Sequence, residues 1–71
     1  MTPKEKLLKI LPKSYHNRVA DLTEEEDLVD GCKYLIRWTN EYTDGEIKGG
    51  TFPVHSIKEA ADFIKHSIYA N

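Results

Sequence analysis

Apolar positions at Leu7, Leu8, Ile10 and Leu11 are interspersed with Lys4, Lys6 and Lys9 near the start of the chain. This spacing predicts a short amphipathic helix. Thr2-Pro3-Lys4-Glu5 supplies its beginning: Thr2 caps, Pro3 suits the first helical position, and Glu5 reaches back to complete a capping box. Pro12 stops the helix after about two to three turns. A helix of that length is not stable alone in water, so its apolar face must dock on its own sheet, a second copy or a partner. From Ser14 to Leu22 the periodicity weakens, and Val19, Ala20 and Leu22 suit either a short strand or an extended connector. Thr23-Glu24-Glu25-Glu26 repeats the capping-box spacing and predicts one helical turn closed by Gly31.

The strongest strand signal runs from Cys32 to Tyr42, where Cys32, Tyr34, Ile36 and Trp38 alternate with Lys33, Leu35, Arg37 and Thr39. Asp44-Gly45 marks a hairpin turn, and Glu46 to Val54 returns as the second strand. Ile47 and Phe52 are five apart, which puts them on opposite faces of a regular strand, so a bulge at Gly49-Gly50 is expected to bring both to the core. Pro53 lacks an amide proton and points to an edge. Ser56-Ile57-Lys58-Glu59 is a third capping box, and Ile57, Ala60, Ala61, Ile64 and Ile68 trace one stripe of a C-terminal helix. The expected core is Leu7, Leu8, Leu11, Ile36, Trp38, Phe52, Ile57, Ala61, Ile64 and Ile68. The elements describe an α+β domain spanning residues 1–71: an N-terminal helix, a short variable segment, a β-hairpin with room for a third short strand, and a C-terminal helix packed on one sheet face.

The 71 residues leave room for one small core and exclude a nucleotide-binding α/β sheet or a large enzyme fold. Hydrophobic content of 39% and charged content of 31% are ordinary for a globular chain, which argues against disorder. No apolar run reaches the roughly 18 residues of a spanning helix, and the start is too charged for a signal-peptide core. The single cysteine, Cys32, excludes an internal disulfide and suits a reducing compartment, so a soluble cytoplasmic protein is expected.

The net charge of −2 conceals an asymmetry. Lys4, Lys6, Lys9, Lys13 and Arg18 stand against Glu5 in the first 18 residues, whereas residues 19–32 hold Asp21, Glu24, Glu25, Glu26, Asp27 and Asp30 and no basic residue. Five basic and five acidic residues balance from 33 onward. Such separation either orients docking or simply solvates a turn and a helix.

Candidate chemistry is sparse. His16, His55 and His66 lack metal-ligand spacing, and a zinc site from His55, His66 and a carboxylate has no local pair to build on. Cys32 with a histidine imitates a nucleophile–base pair, but a lone cysteine opening a strand reads more simply as a small buried hydrophobe. The acidic run lacks the alternating ligands, central glycine and closing glutamate of a calcium loop. The expectation is no catalytic residue, no metal and no cofactor.

The pattern Tyr34-x-Ile36-Arg37-Trp38, Asp44-Gly45, Thr51-Phe52-Pro53 and Lys58-Glu59-Ala60-Ala61-x-Phe63-Ile64 resembles the small sheet-plus-helix arm-binding domains of tyrosine recombinases. That resemblance covers about half the chain, rests mostly on fold-determining residues, and implies a sheet that enters the DNA major groove. Those domains are usually basic, whereas residues 33–64 here balance near zero.

Two functions follow as expectations. The first is a small non-enzymatic regulator, inhibitor or accessory subunit that binds another protein, one with a basic surface, through Asp21, Glu24, Glu25, Glu26, Asp27 and Asp30, with Leu35, Tyr42, Phe63 and Tyr69 as apolar anchors. A homodimer is compatible with it; a membrane is not expected. The alternative is a nucleic-acid-binding module in which Lys33, Arg37 and Lys48 on the sheet face act with the basic first helix. The pI near 5.9 weighs against the alternative.

Overall fold

The first helix, α1 (Pro3–Ile10), closes its capping box in full: Glu5 N donates to Thr2 Oγ1 at 3.2 Å, and Thr2 N donates to Glu5 Oε1 at 3.1 Å. These contacts come from a computed structural model that describes residues 1–41 and 44–66. Leu11 leaves the helix in extended conformation, as a residue before proline must, while its amide still donates to Leu7 O at 3.1 Å. Leu7 and Leu11, one turn apart, are buried. A 3₁₀ segment (Lys13–Arg18) then turns the chain into the sheet, and His16 Nε2 meets the Leu11 carbonyl at 2.9 Å.

Val19–Glu24 is a strand, β1, which settles the third-strand question. It pairs antiparallel with β2 (Tyr34–Glu41), which pairs antiparallel with β3 (Ile47–Val54), so β2 is central. The register sets Val19 opposite Trp38 and Leu22 opposite Ile36, three steps along β1 against two along β2. Ala20 is the extra residue of this irregularity, and its insertion turns both Val19 and Leu22 toward the core.

The irregularity therefore lies in β1, and the expected bulge at Gly49-Gly50 is absent. Register runs unbroken from Tyr34 opposite Val54 to Glu41 opposite Ile47. Ile47 and Phe52 stay on opposite faces, 69% and 43% exposed, so Phe52 is not a core residue. The glycines serve Trp38 instead. A Cβ at Gly49 would lie 2.7 Å from the Trp38 carbonyl oxygen, and one at Gly50 would lie 3.1 Å from its indole ring.

The second correction concerns Thr23-Glu24-Glu25-Glu26, which starts no helix. Thr23 and Glu24 remain in β1 opposite Leu35 and Tyr34, and Glu25 N donates to Lys33 O at 2.9 Å. Ladder pairing with the central strand outcompetes the local cap, and Thr23 Oγ1 turns to the Glu25 carboxylate. The turn closes later, at Val29–Gly31, with Asp27, Asp30 and Gly31 in left-handed backbone. Cys32 precedes the strand rather than opening it and is half-buried.

Helix α2 (Ile57–His66) and α1 both cover the face bearing Leu22, Ile36 and Val54. The core is Leu7, Leu11, Val19, Leu22, Ile36, Val54, Ala60, Ala61 and Ile64. Leu8, Trp38 and Ile57 are half-buried at its margin, while Ile68 lies outside the described residues. Among those residues no helix is long and apolar enough to cross a membrane.

Candidate functional site

Because side chains alternate along each strand, the register assigns every sheet residue to a face. The face away from the helices carries Thr23, Leu35 and Pro53 in one cross-strand row and Asp21, Arg37 and Thr51 in the next. Thr39 and Gly49 follow, and the Thr39 hydroxyl donates to Asn17 O at 3.2 Å. Leu35 and Pro53 are half-buried, Arg37 and Thr51 exposed. Among the described residues no helix covers this face.

Its end beside Leu35 continues into the acidic connection between β1 and β2. Glu25, Glu26, Asp27 and Asp30 are exposed there, as is Glu24 at the end of β1, opposite Tyr34. Asp21 differs: it sits on the sheet face beside Arg37, half-buried, and its carboxylate accepts from Leu22 N at 2.8 Å. The expected acidic set is thus an exposed connection carrying Glu25, Glu26, Asp27 and Asp30 plus two strand residues, Asp21 and Glu24, on opposite faces of the sheet.

The basic set is not brought together. Lys33 and Arg37 share the parity of the uncovered face, whereas Lys48 pairs with the core-facing Asn40 and lies on the opposite parity, its Nζ 3.6 Å from Glu46 Oε1. Helix α1, with Lys4, Lys6 and Lys9, packs on the helix side of the sheet. Phe63 is also on that side: it stacks on Phe52 with centroids 4.5 Å apart and rings 6° from parallel, and lies 6.5 Å from Trp38. Leu35 and Phe63 therefore cannot anchor a single flat partner surface. Tyr42 and Tyr69 lie outside the described residues.

The chain matches no protein-family model, no curated protein and no solved structure.

Sequence reasoning passed over one cluster. Ser56 caps α2, with Glu59 N donating to Ser56 Oγ at 3.1 Å. The Glu59 carboxylate reaches one residue further back than a capping box requires, accepting from His55 N at 2.6 Å and from His55 Nδ1 at 2.9 Å. The other ring nitrogen, Nε2, lies 2.9 Å from the Asp30 carbonyl oxygen and 3.7 Å from Cys32 Sγ. A carbonyl and an ionised carboxylate can only accept, so both contacts are made at once only when both ring nitrogens carry protons, as in the imidazolium. The Asp30 carbonyl and the Glu59 carboxylate raise the His55 pKa above its ordinary value. Hydrogen bonds from His55, led by its backbone amide, lower that of Glu59.

This arrangement is poor for nucleophilic catalysis. With both ring nitrogens engaged as donors, His55 has no lone pair to take the thiol proton, and burial, with the Glu59 and Asp30 charges, raises the Cys32 pKa. Among the described residues no group of three His, Cys, Asp or Glu side chains is placed to hold a metal. The local signal that pairs His55 with Glu59 is their i, i+4 spacing across a helix start; the Asp30 contact joins residues 25 apart and needs the fold.

Proposed function

We propose that this protein is a stoichiometric, non-enzymatic binding module that docks another protein on its uncovered sheet face, acting as a regulator, inhibitor or accessory subunit. The observation that carries the reading is the adjacency of the Thr23–Leu35–Pro53 row to a loop of exposed carboxylates. Apolar contact through Leu35 and Pro53 supplies affinity, and the loop attracts and orients a partner with a basic surface. Phe63 drops out as an anchor for this surface because it faces the helix side. The free thiol of Cys32 suits the reducing cytoplasm.

The test uses the partner enriched on the immobilised protein and then purified. Leu35→Asp should abolish binding while leaving the melting curve close to wild type. A duplex DNA titration runs alongside. Salt-sensitive DNA binding that Lys33→Glu with Arg37→Glu removes would overturn the protein-binding reading in favour of nucleic acid.

A further inference from the structure

The connection between β1 and β2 holds Asp27 and Asp30 in left-handed backbone, at φ 60° and 53°, which non-glycine residues adopt at a cost. The contact that reaches this turn from the bend between β3 and α2 is His55, whose Nε2, when protonated, donates to Asp30 O while Nδ1 donates to Glu59. Each end of the ring uses one proton, and the second proton is needed for the second bond.

We propose that the His55 side chain is a pH-operated clasp: doubly protonated, it ties the turn Val29–Gly31 to the start of α2, and on losing one proton it lets that turn go. The retained proton stays on Nδ1, because a hydrogen bond to the ionised Glu59 carboxylate is stronger than one to a neutral carbonyl. Nε2 then presents a lone pair to the Asp30 carbonyl oxygen, and an attractive contact becomes a repulsive one. The same lone pair faces the Cys32 thiol, 3.7 Å away, which can donate to it.

The titratable groups facing His55 are Glu59 from α2, the Asp30 carboxylate from the turn, and the Cys32 thiol from the segment before β2. The two carboxylates favour the closed clasp, and the Cys32 thiol, its pKa raised, adds no charge at neutral pH. Release therefore lies above the ordinary histidine value of 6.5. The clasp stands whether or not the acidic connection binds a partner.

The experiment is a nuclear magnetic resonance titration of the whole chain over about pH 5 to 9, following both His55 ring nitrogens and amide exchange. The Cys32 amide, which donates to Val29 O at 3.0 Å, reports on the turn, and the Ile36 amide of the central strand is the control. The expected result is a His55 midpoint above 6.5 with the remaining proton on Nδ1. Cys32 protection should fall about tenfold through the same midpoint, beyond the intrinsic rise of exchange with pH, while Ile36 protection holds. Glu59→Gln should lower the midpoint, and His55→Ala should leave Cys32 poorly protected at every pH. A midpoint at or below 6.5, or a titration through which Cys32 protection stays constant, overturns the clasp; both readings come from the unmodified chain, so neither depends on a variant folding.

Discussion

Ile36 and Leu35 are neighbours on the central strand, and they meet different surroundings. Ile36 lies between Leu22 and Phe52 under both helices and is fully buried, whereas Leu35 lies between Thr23 and Pro53 with no helix of the described residues above it. One face spends its apolar side chains on the fold; the other keeps a short apolar row, an arginine and three threonines in view of solvent. In a chain this small two short helices cover one side of a three-stranded sheet, and the remaining side is where a partner can add contact area.

The largest effect should separate the faces directly. Ile36→Ala is expected to cost about 2–5 kcal/mol in urea unfolding, against about 1 kcal/mol or less for Leu35→Ala. Equal costs would mean that both faces are structurally committed, and the distinction would collapse. Gly49→Ala should come next, at about 1–3 kcal/mol, because its new methyl meets the Trp38 backbone oxygen and β2 must shift. Gly50→Ala should cost less, since the atoms it meets belong to a half-buried indole that can swing aside. A reversal of those two would place the strain elsewhere. Smaller again is the edge of the helix side: a double-mutant cycle on Phe52 and Phe63 should return about 0.5–1.5 kcal/mol of coupling.

These predictions draw on features that were unevenly legible in the sequence. Both helices, the central strand and the hairpin announce themselves through period, caps and Asp44-Gly45. β1 does not, because Ala20 interrupts its alternation: Val19 and Leu22 both face inward only through the irregularity opposite Arg37–Trp38. Gly49-Gly50 carries a real signal that admits two readings, a bulge or a close approach, and only the position of Trp38 distinguishes them. Thr23-Glu26 has the spacing of a cap yet lies in a strand, since pairing with β2 satisfies the same backbone groups. The acidic loop was legible as a charge run, and its placement beside Leu35 was not. His55 acquires its role from Asp30, 25 residues away, which no local pattern encodes.

The smallest effect concerns pH and contrasts the two partners of one contact, His55 and Glu59. His55 has a raised pKa, so its contribution to stability is complete below the unfolded value near 6.5 and is lost as pH rises through the higher folded value. Glu59 has a lowered pKa, so its contribution is present above its ordinary 4.5 and is lost as pH falls through the lower folded value. Thermal unfolding of the wild type should therefore show a shallow maximum between those limits, and His55→Ala should remove the alkaline side of it. A wild-type profile that keeps rising from pH 6.5 upward would contradict this sign.

The central claim, that the uncovered face and its acidic end form one docking surface, is tested most directly by association kinetics. The variant with Glu24, Glu25 and Glu26 changed to Gln and Asp27 to Asn should associate more slowly with the purified partner at low salt. Its rate should also lose most of its dependence on ionic strength, because the field it removes reaches only about 8–10 Å at physiological salt. An association rate and a salt dependence both equal to those of the wild type would contradict the claim.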